Sequence, residues 1–201
     1  MSEPTTVETP SRDRVLSAAH QLILDHGYVD FSMRELAEVS GLAKATIYHH
    51  FPDKQTICNA VVDIEFADLR DRIKRAAASA QDPVERLRAV INEMLGPELE
   101  RRLVIVFAAQ EMTGLGMQFQ KHIKRYRLEI VAPVADIIRD GIEQGAFRPL
   151  NVDMTVISLL GTMHSYITHR LVSGPNEQLS GIVDHTIDLF LNGLLPRSGS
   201  A

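Results

Sequence analysis

The chain has 201 residues, 45% apolar and 23% charged, which fits one large or two modest globular domains. Its formal charge of −5 argues against a protein that coats nucleic acid indiscriminately, and its single cysteine, Cys58, excludes an internal disulfide. No apolar run approaches the ~20 residues needed to span a bilayer, and the opening MSEPTTVETPSRDR lacks the apolar stretch of a secretory signal.

Residues 1–10 read as a disordered leader. From there helical spacing dominates, with no internal repeat and no convincing strand. A first helix is predicted over 12–26, with Val15, Ala18, Ala19, Leu22 and Ile23 on one face and Gly27 as its stop. Ser32 followed by Glu35 is a capping-box pattern that starts a second helix, continued by Leu36, Ala37 and Val39. Gly41 ends it, where a helix C-terminus wants positive φ. A third helix runs from about Ala43 to Phe51, and Pro52 closes it. Small Ala37 allows close crossing, while Leu42 and Ile47 lock the pair. This is helix-turn-helix spacing, in which the second helix of the pair enters the major groove of DNA. From Phe31 to Lys54 three basic residues balance three acidic ones, so phosphate binding must come from local placement; the recognition helix carries Lys44 and no carboxylate.

A fourth helix starts near Asp53 or Lys54, turns Ile57, Val61, Ile64 and Leu69 inward, and fades in Ala76–Ala80. Asp82 as N-cap, Pro83 at the first helical position and Glu85 begin the next. Five further helices are predicted over 83–95, 98–112, 117–144, 152–173 and 177–194, with Pro133 kinking the longest. The fold class is all-α: an N-terminal three-helix helix-turn-helix domain and a C-terminal helical bundle, about nine helices in all. The domains expected are DNA binding (11–57), a connecting helix (58–80), ligand binding and dimerisation (81–196), and a tail (197–201).

The stretch FSMRELAEVSGLAKATIYHHFPDK resembles the N-terminal signature of the tetracycline-repressor (TetR-type) family of transcriptional regulators, through Phe31, Leu36, Ala37, Gly41, Thr46, Tyr48, Phe51 and Lys54. The strong resemblance covers residues 12 to 60; beyond them only the number and order of helices are similar. One departure is Ala43, where the family often places Ser or Thr as a recognition-helix cap. Losing that cap costs on the order of 1 kcal/mol and one phosphate contact.

In this frame the DNA-binding residues are Ser32, Arg34, Lys44, Ala45, Thr46, Tyr48, His49 and Lys54. Lys54, Tyr48 and the shared hydroxyl of Ser32 meet phosphate. Lys44 reaches guanine, and Ala45 and Thr46 offer methyl groups to thymine. His49 contacts a base or a phosphate. Arg34 either reaches a guanine or pairs with Glu38 one turn on.

A single recognition helix reads few base pairs, so the protein is expected to bind a palindromic operator in double-stranded DNA as a homodimer. The interface expected is Ser158, Gly161, Thr162, Ser165 and Thr168, whose small side chains let a helix approach, with Ile187, Phe190 and Leu194 from the last helix. The resemblance implies a small-molecule effector in the C-terminal domain that releases DNA, with the connecting helix as lever. Met94, Phe107, Met112, Met117, Phe119, Tyr126 and Met163 are the pocket candidates and point to an apolar or aromatic ligand. His164 and His169 are five apart, about 140° around a helix, so no metal site is expected from them; histidines on different helices leave that question open. No cofactor, catalytic residue or membrane partner is predicted. The expected place is the bacterial cytoplasm, at the nucleoid when operator is bound. The alternative reading is a helical protein of the same fold that acts through protein contacts without operator binding.

Overall fold

The computed structural model describes residues 10–96, 98, 124–125, 127–173 and 181–195. Among them the regular elements are all helical, and none is long and apolar enough to cross a membrane. The helix expected over 98–112, residues 117–123 and 126 of the one expected over 117–144, residues 177–180 of the last, and the leader and tail lie outside the described residues, apart from Pro10 and Glu98.

The helices are α1 (Ser11–Asp30), α2 (Met33–Ser40), α3 (Lys44–His50), α4 (Lys54–Ala77) and α5 (Pro83–Leu95). There follow a π-helical turn (Arg127–Val131), α6 (Ala132–Glu143), α7 (Val152–Ser173) and α8 (Ile182–Leu194). They divide into two compact units, one holding the described residues to Glu65 and the other those from Phe66. The division falls within α4, in the stretch assigned above to the connecting helix.

In the first unit α1 packs against α2 and α3, which also touch each other. Val15, Leu16, Ala18, Ala19, Leu22 and Ile23 of α1 are buried, as are Phe31, Leu36, Ile47 and Phe51. The 3.6-residue spacing thus produced the expected face. Gly27 does not stop α1, which continues to Asp30. A glycine inside a helix costs only ~1 kcal/mol against alanine, and burial of Phe31 in extended backbone fixes the end instead. Ile64 is also not turned inward; it is 49% exposed.

In the second unit Leu69, Ile73 and Ala76 of α4 join Leu87, Val90, Ile91 and Met94 of α5, Val134, Ile137 and Ile138 of α6, and residues of α7 and α8 in one core. Asp82 caps α5 by accepting from the N–H of Val84 at 3.1 Å, with Pro83 at the first turn. Arg86 of α5 donates to the Ala77 carbonyl at 2.7 Å and to Asp140 of α6 at 2.7 Å, and Arg72 of α4 meets Glu93 of α5 at 2.6 Å. The C-terminal end of α4 is therefore held by charge as well as by packing. Arg148 caps α8 in the same way, its backbone N–H on the Leu194 carbonyl and its guanidinium on that of Gly193, both at 2.8 Å.

The expected disturbance at Pro133 takes the form of a π turn that leads directly into α6. Proline lacks the amide that would bond back one turn and its ring crowds that carbonyl, so the preceding turn widens. Phe147 closes the second core beside Gly141, whose amide oxygen accepts from the Phe147 N–H at 2.9 Å. A Cβ on Gly141 would stand 2.1 Å from the Phe147 ring, which is why the helix carries glycine there.

Candidate nucleic-acid interface

The interface is assembled from local rules. The Ser32 hydroxyl accepts from the Glu35 N–H at 3.2 Å, and the Glu35 carboxylate accepts from the Ser32 N–H at 2.7 Å, so the expected capping box is closed. The Ser32 N–H, and after it the Ser32 hydroxyl, favour the ionised carboxylate and hold Glu35 below its usual pKa. Gly41 adopts φ +64° and lets α2 end in a left-handed turn, with the Leu42 N–H returning to the Ala37 carbonyl at 3.2 Å. Arg14 of α1 donates to the Ser40 carbonyl at 2.8 Å, satisfying another open group at that end.

This frame leaves α3 on the surface. Ile47 is fully buried and anchors the helix, while Lys44, Ala45, Tyr48, His49 and His50 are exposed and Thr46 is half-buried. Ala43 makes no side-chain cap; its carbonyl accepts from Thr46 and Ile47. The Phe51 N–H bonds the Ile47 carbonyl at 2.9 Å, and the chain turns into α4. Asp53 caps that helix, taking both the backbone N–H and the hydroxyl of Thr56, at 2.7 and 2.8 Å. The same two bonds hold Asp53 below its usual pKa.

Lys54 does more than stand at a helix start. Its ammonium donates to the Phe31 carbonyl at 2.6 Å and lies 4.1 Å from the centroid of the Phe31 ring. It therefore ties the head of α4 to the α1–α2 junction, a role its position in sequence did not disclose. Arg34 pairs with Glu38 at 2.9 Å, the second of the two arrangements considered; that bond raises its pKa. Both side chains are exposed, and such a pair is weak enough to exchange for phosphate. Ser32 is exposed at the same edge.

Two basic groups were overlooked. His50 is exposed in the last turn of α3 with its ring edge against His49, centroids 5.3 Å apart. Arg12, exposed at the start of α1, lies 5.4 Å from the Phe51 ring centroid. His50 could have been found by extending the face of Thr46 one turn; Arg12 carries no local signal.

The remaining site residues lie in the second unit. Met94 and Met163 are buried in its core, and Phe107, Met112, Met117, Phe119 and Tyr126 lie outside the described residues. On α7, Ser158, Gly161 and Ser165 are exposed and Thr162 half-buried; the Thr168 side chain is outside the description. The hydroxyls of Ser158, Thr162 and Ser165 each bond a carbonyl four residues back, at 2.8 to 3.0 Å, so the face is polar in composition yet internally satisfied. On α8 the placement differs from expectation. Ile187 and Leu194 are 4% and 3% exposed and belong to the protomer's own core, with Phe190 partly buried against it. The apolar groups that α7 and α8 leave outside are Met154, Ile157 and Leu189. His164, His169 and His185 are exposed, and no group of three or more metal-ligating side chains forms among the described residues.

Comparison with known proteins matches residues 15–61 to the family described as "Bacterial regulatory proteins, tetR family" and residues 80–194 to "Tetracyclin repressor-like, C-terminal domain". The transcriptional regulator UidR of Escherichia coli K12 is 28% identical over 171 residues, covering 80% of this chain and 81% of its own. A regulator from Saccharomonospora viridis, solved in complex with choline, is similar in fold, with a TM-score of 0.84 at 22% identity over 93% of this chain and 98% of that one. AibR, solved with isovaleryl coenzyme A and operator DNA, has a TM-score of 0.67 at 23% identity over 94% of this chain and all of its own.

Proposed function

Because the chain belongs to the tetR family of bacterial regulatory proteins and is a transcriptional regulator, we infer that it is a ligand-released repressor of a palindromic operator. Residues 11–57 bind DNA and 81–196 bind effector and partner. One observation carries this reading: α3 is anchored by Ile47 alone and exposes Lys44, Ala45, Tyr48 and His49 on a helix-turn-helix closed at both ends. Lys44 and the methyl groups of Ala45 and Thr46 read bases, whereas Tyr48, Ser32 and Lys54 set the register on phosphate. Arg34 and His49 add contacts at the edge.

Two copies then place their recognition helices about 34 Å apart, one turn of duplex. The face of α7 with Ser158, Gly161 and Ser165, extended by Met154, Ile157 and Leu189, supports pairing of protomers. Choline and isovaleryl coenzyme A on two fold neighbours support a small-molecule effector. Met94 and Met163 in the second core favour an apolar or aromatic one. The effector acts by favouring a spacing of the two α3 helices that no longer fits the operator.

The test is selection of duplexes from a random library at physiological salt, followed by anisotropy titration of the winner against scrambled DNA. Specific binding tighter by about 10³-fold is expected. Equal affinity for both would overturn the repressor reading and favour action through protein contacts.

A further inference from the structure

A cavity of about 420 Å³ opens within the first unit, between α1 and α4. Its floor is apolar: Leu16 and Val61 are buried, and Ile64, which helical spacing had turned inward, borders the space. Its polar groups are Asp13, Ser17 and His20 on α1 and Glu65 on α4. His20 Nε2 stands 3.0 Å from Glu65 Oε1, joining the two helices at one end of the space, and the Glu65 side chain is only 11% exposed. Two carboxylates face the cavity, and neither a lysine nor an arginine is among the described residues that line it. Neither the DNA contacts nor the effector domain uses any of these groups.

We propose that this cavity is a second small-molecule site, for an organic ammonium on an apolar one- or two-ring body. The volume lies in the range of ligand pockets. The apolar floor takes the rings, and the exposed Asp13 carboxylate accepts a hydrogen bond from the ammonium, with Glu65, held by His20, adding negative charge behind it. An anion of the same shape meets two carboxylates and is rejected; a neutral alcohol keeps the packing and loses the charge-assisted bonds. An occupant spans α1 and α4, and α1 packs on both α2 and α3, so binding braces the unit that presents the recognition helix.

The test is calorimetric titration of the full chain with tryptamine, its neutral isostere tryptophol and the anion indole-3-acetate. Saturable tryptamine binding is expected, about tenfold weaker for tryptophol and absent for indole-3-acetate. Ser17→Phe fills the space from an exposed position and removes the binding, while Asp13→Asn, also exposed, weakens it severalfold; circular dichroism checks that both fold. Absence of saturable tryptamine binding, equal affinity for the alcohol, or unchanged binding by both variants would overturn the proposal. None of these readouts involves operator DNA, so they stand apart from the fate of the repressor reading.

Discussion

Replacing Lys54 by methionine keeps the aliphatic stem and removes the ammonium that donates to the Phe31 carbonyl at 2.6 Å and sits 4.1 Å from the Phe31 ring centroid. A charged donor on a part-buried carbonyl is worth about 1.5 kcal/mol, and the contact with the ring roughly 0.5 kcal/mol at a half-exposed site. The expected loss is thus about 2 kcal/mol, read as a lower urea midpoint at fixed protein concentration with little change in slope. DNA binding separates the two roles of this lysine. If the ammonium also meets a phosphate in the complex, the log–log salt dependence of operator affinity becomes shallower by about 0.9. A purely structural lysine leaves that slope alone while stability still falls. A variant with wild-type stability would refute the argument, because it would mean that the bond to Phe31 contributes nothing to the fold.

Ser32→Ala opens the capping box and should cost about 1 kcal/mol, measured by urea unfolding. Glu35 and Asp53 both have pKa values lowered by the amides they cap. Their stabilisation is therefore fully present above the usual carboxylate range and is lost as pH falls through their depressed values; acid titration of Glu35→Gln, which removes one of the two carboxylates, should show a weaker dependence than wild type. Phe147→Ala should destabilise the second unit by about 3–5 kcal/mol, because the ring is 2% exposed and the backbone at Gly141 has already closed around it; calorimetric unfolding checks this. Gly161→Glu meets no atom within 4 Å of its Cβ, so the protomer should fold normally. The same charge on the pairing face should yield a monomer in sedimentation at micromolar concentration, and operator affinity should fall with it.

What could be read from the sequence was local. Ser32 and Glu35, Gly41, and Asp82 with Pro83 each act within one helical turn, and the structure gives all three the geometry their spacing required. The inward face of α1 was legible for a similar reason: a stripe of five apolar residues has only one way to leave water. Lys54 was not legible in full, because its partner is the carbonyl of Phe31, twenty-three positions earlier, and a backbone oxygen leaves no mark in a sequence. Gly27 misled because glycine permits a helix end without compelling one.

The last helix shows where periodicity runs out. Spacing marks Ile187 and Leu194 as one apolar stripe but cannot name the surface that receives it, and a protomer's own core competes with a second copy on equal terms. Intramolecular packing is the cheaper outcome, since it costs no translational and rotational freedom. Here the protomer took the stripe, with Ile187 and Leu194 joined to α5 and α6 in one core. The face proposed for pairing is the residue set that the core did not use. Met154, Ile157, Ser158, Gly161 and Ser165 recur at three- and four-residue steps along α7, and Leu189 stands outside on α8. The proposed pairing of protomers would bury Met154 and Ile157 at one end of that row, while Gly161 further along leaves room for close approach. The interface proposed here uses helix faces left over after the protomer has folded, and such faces are found from burial and not from the hydrophobic pattern alone.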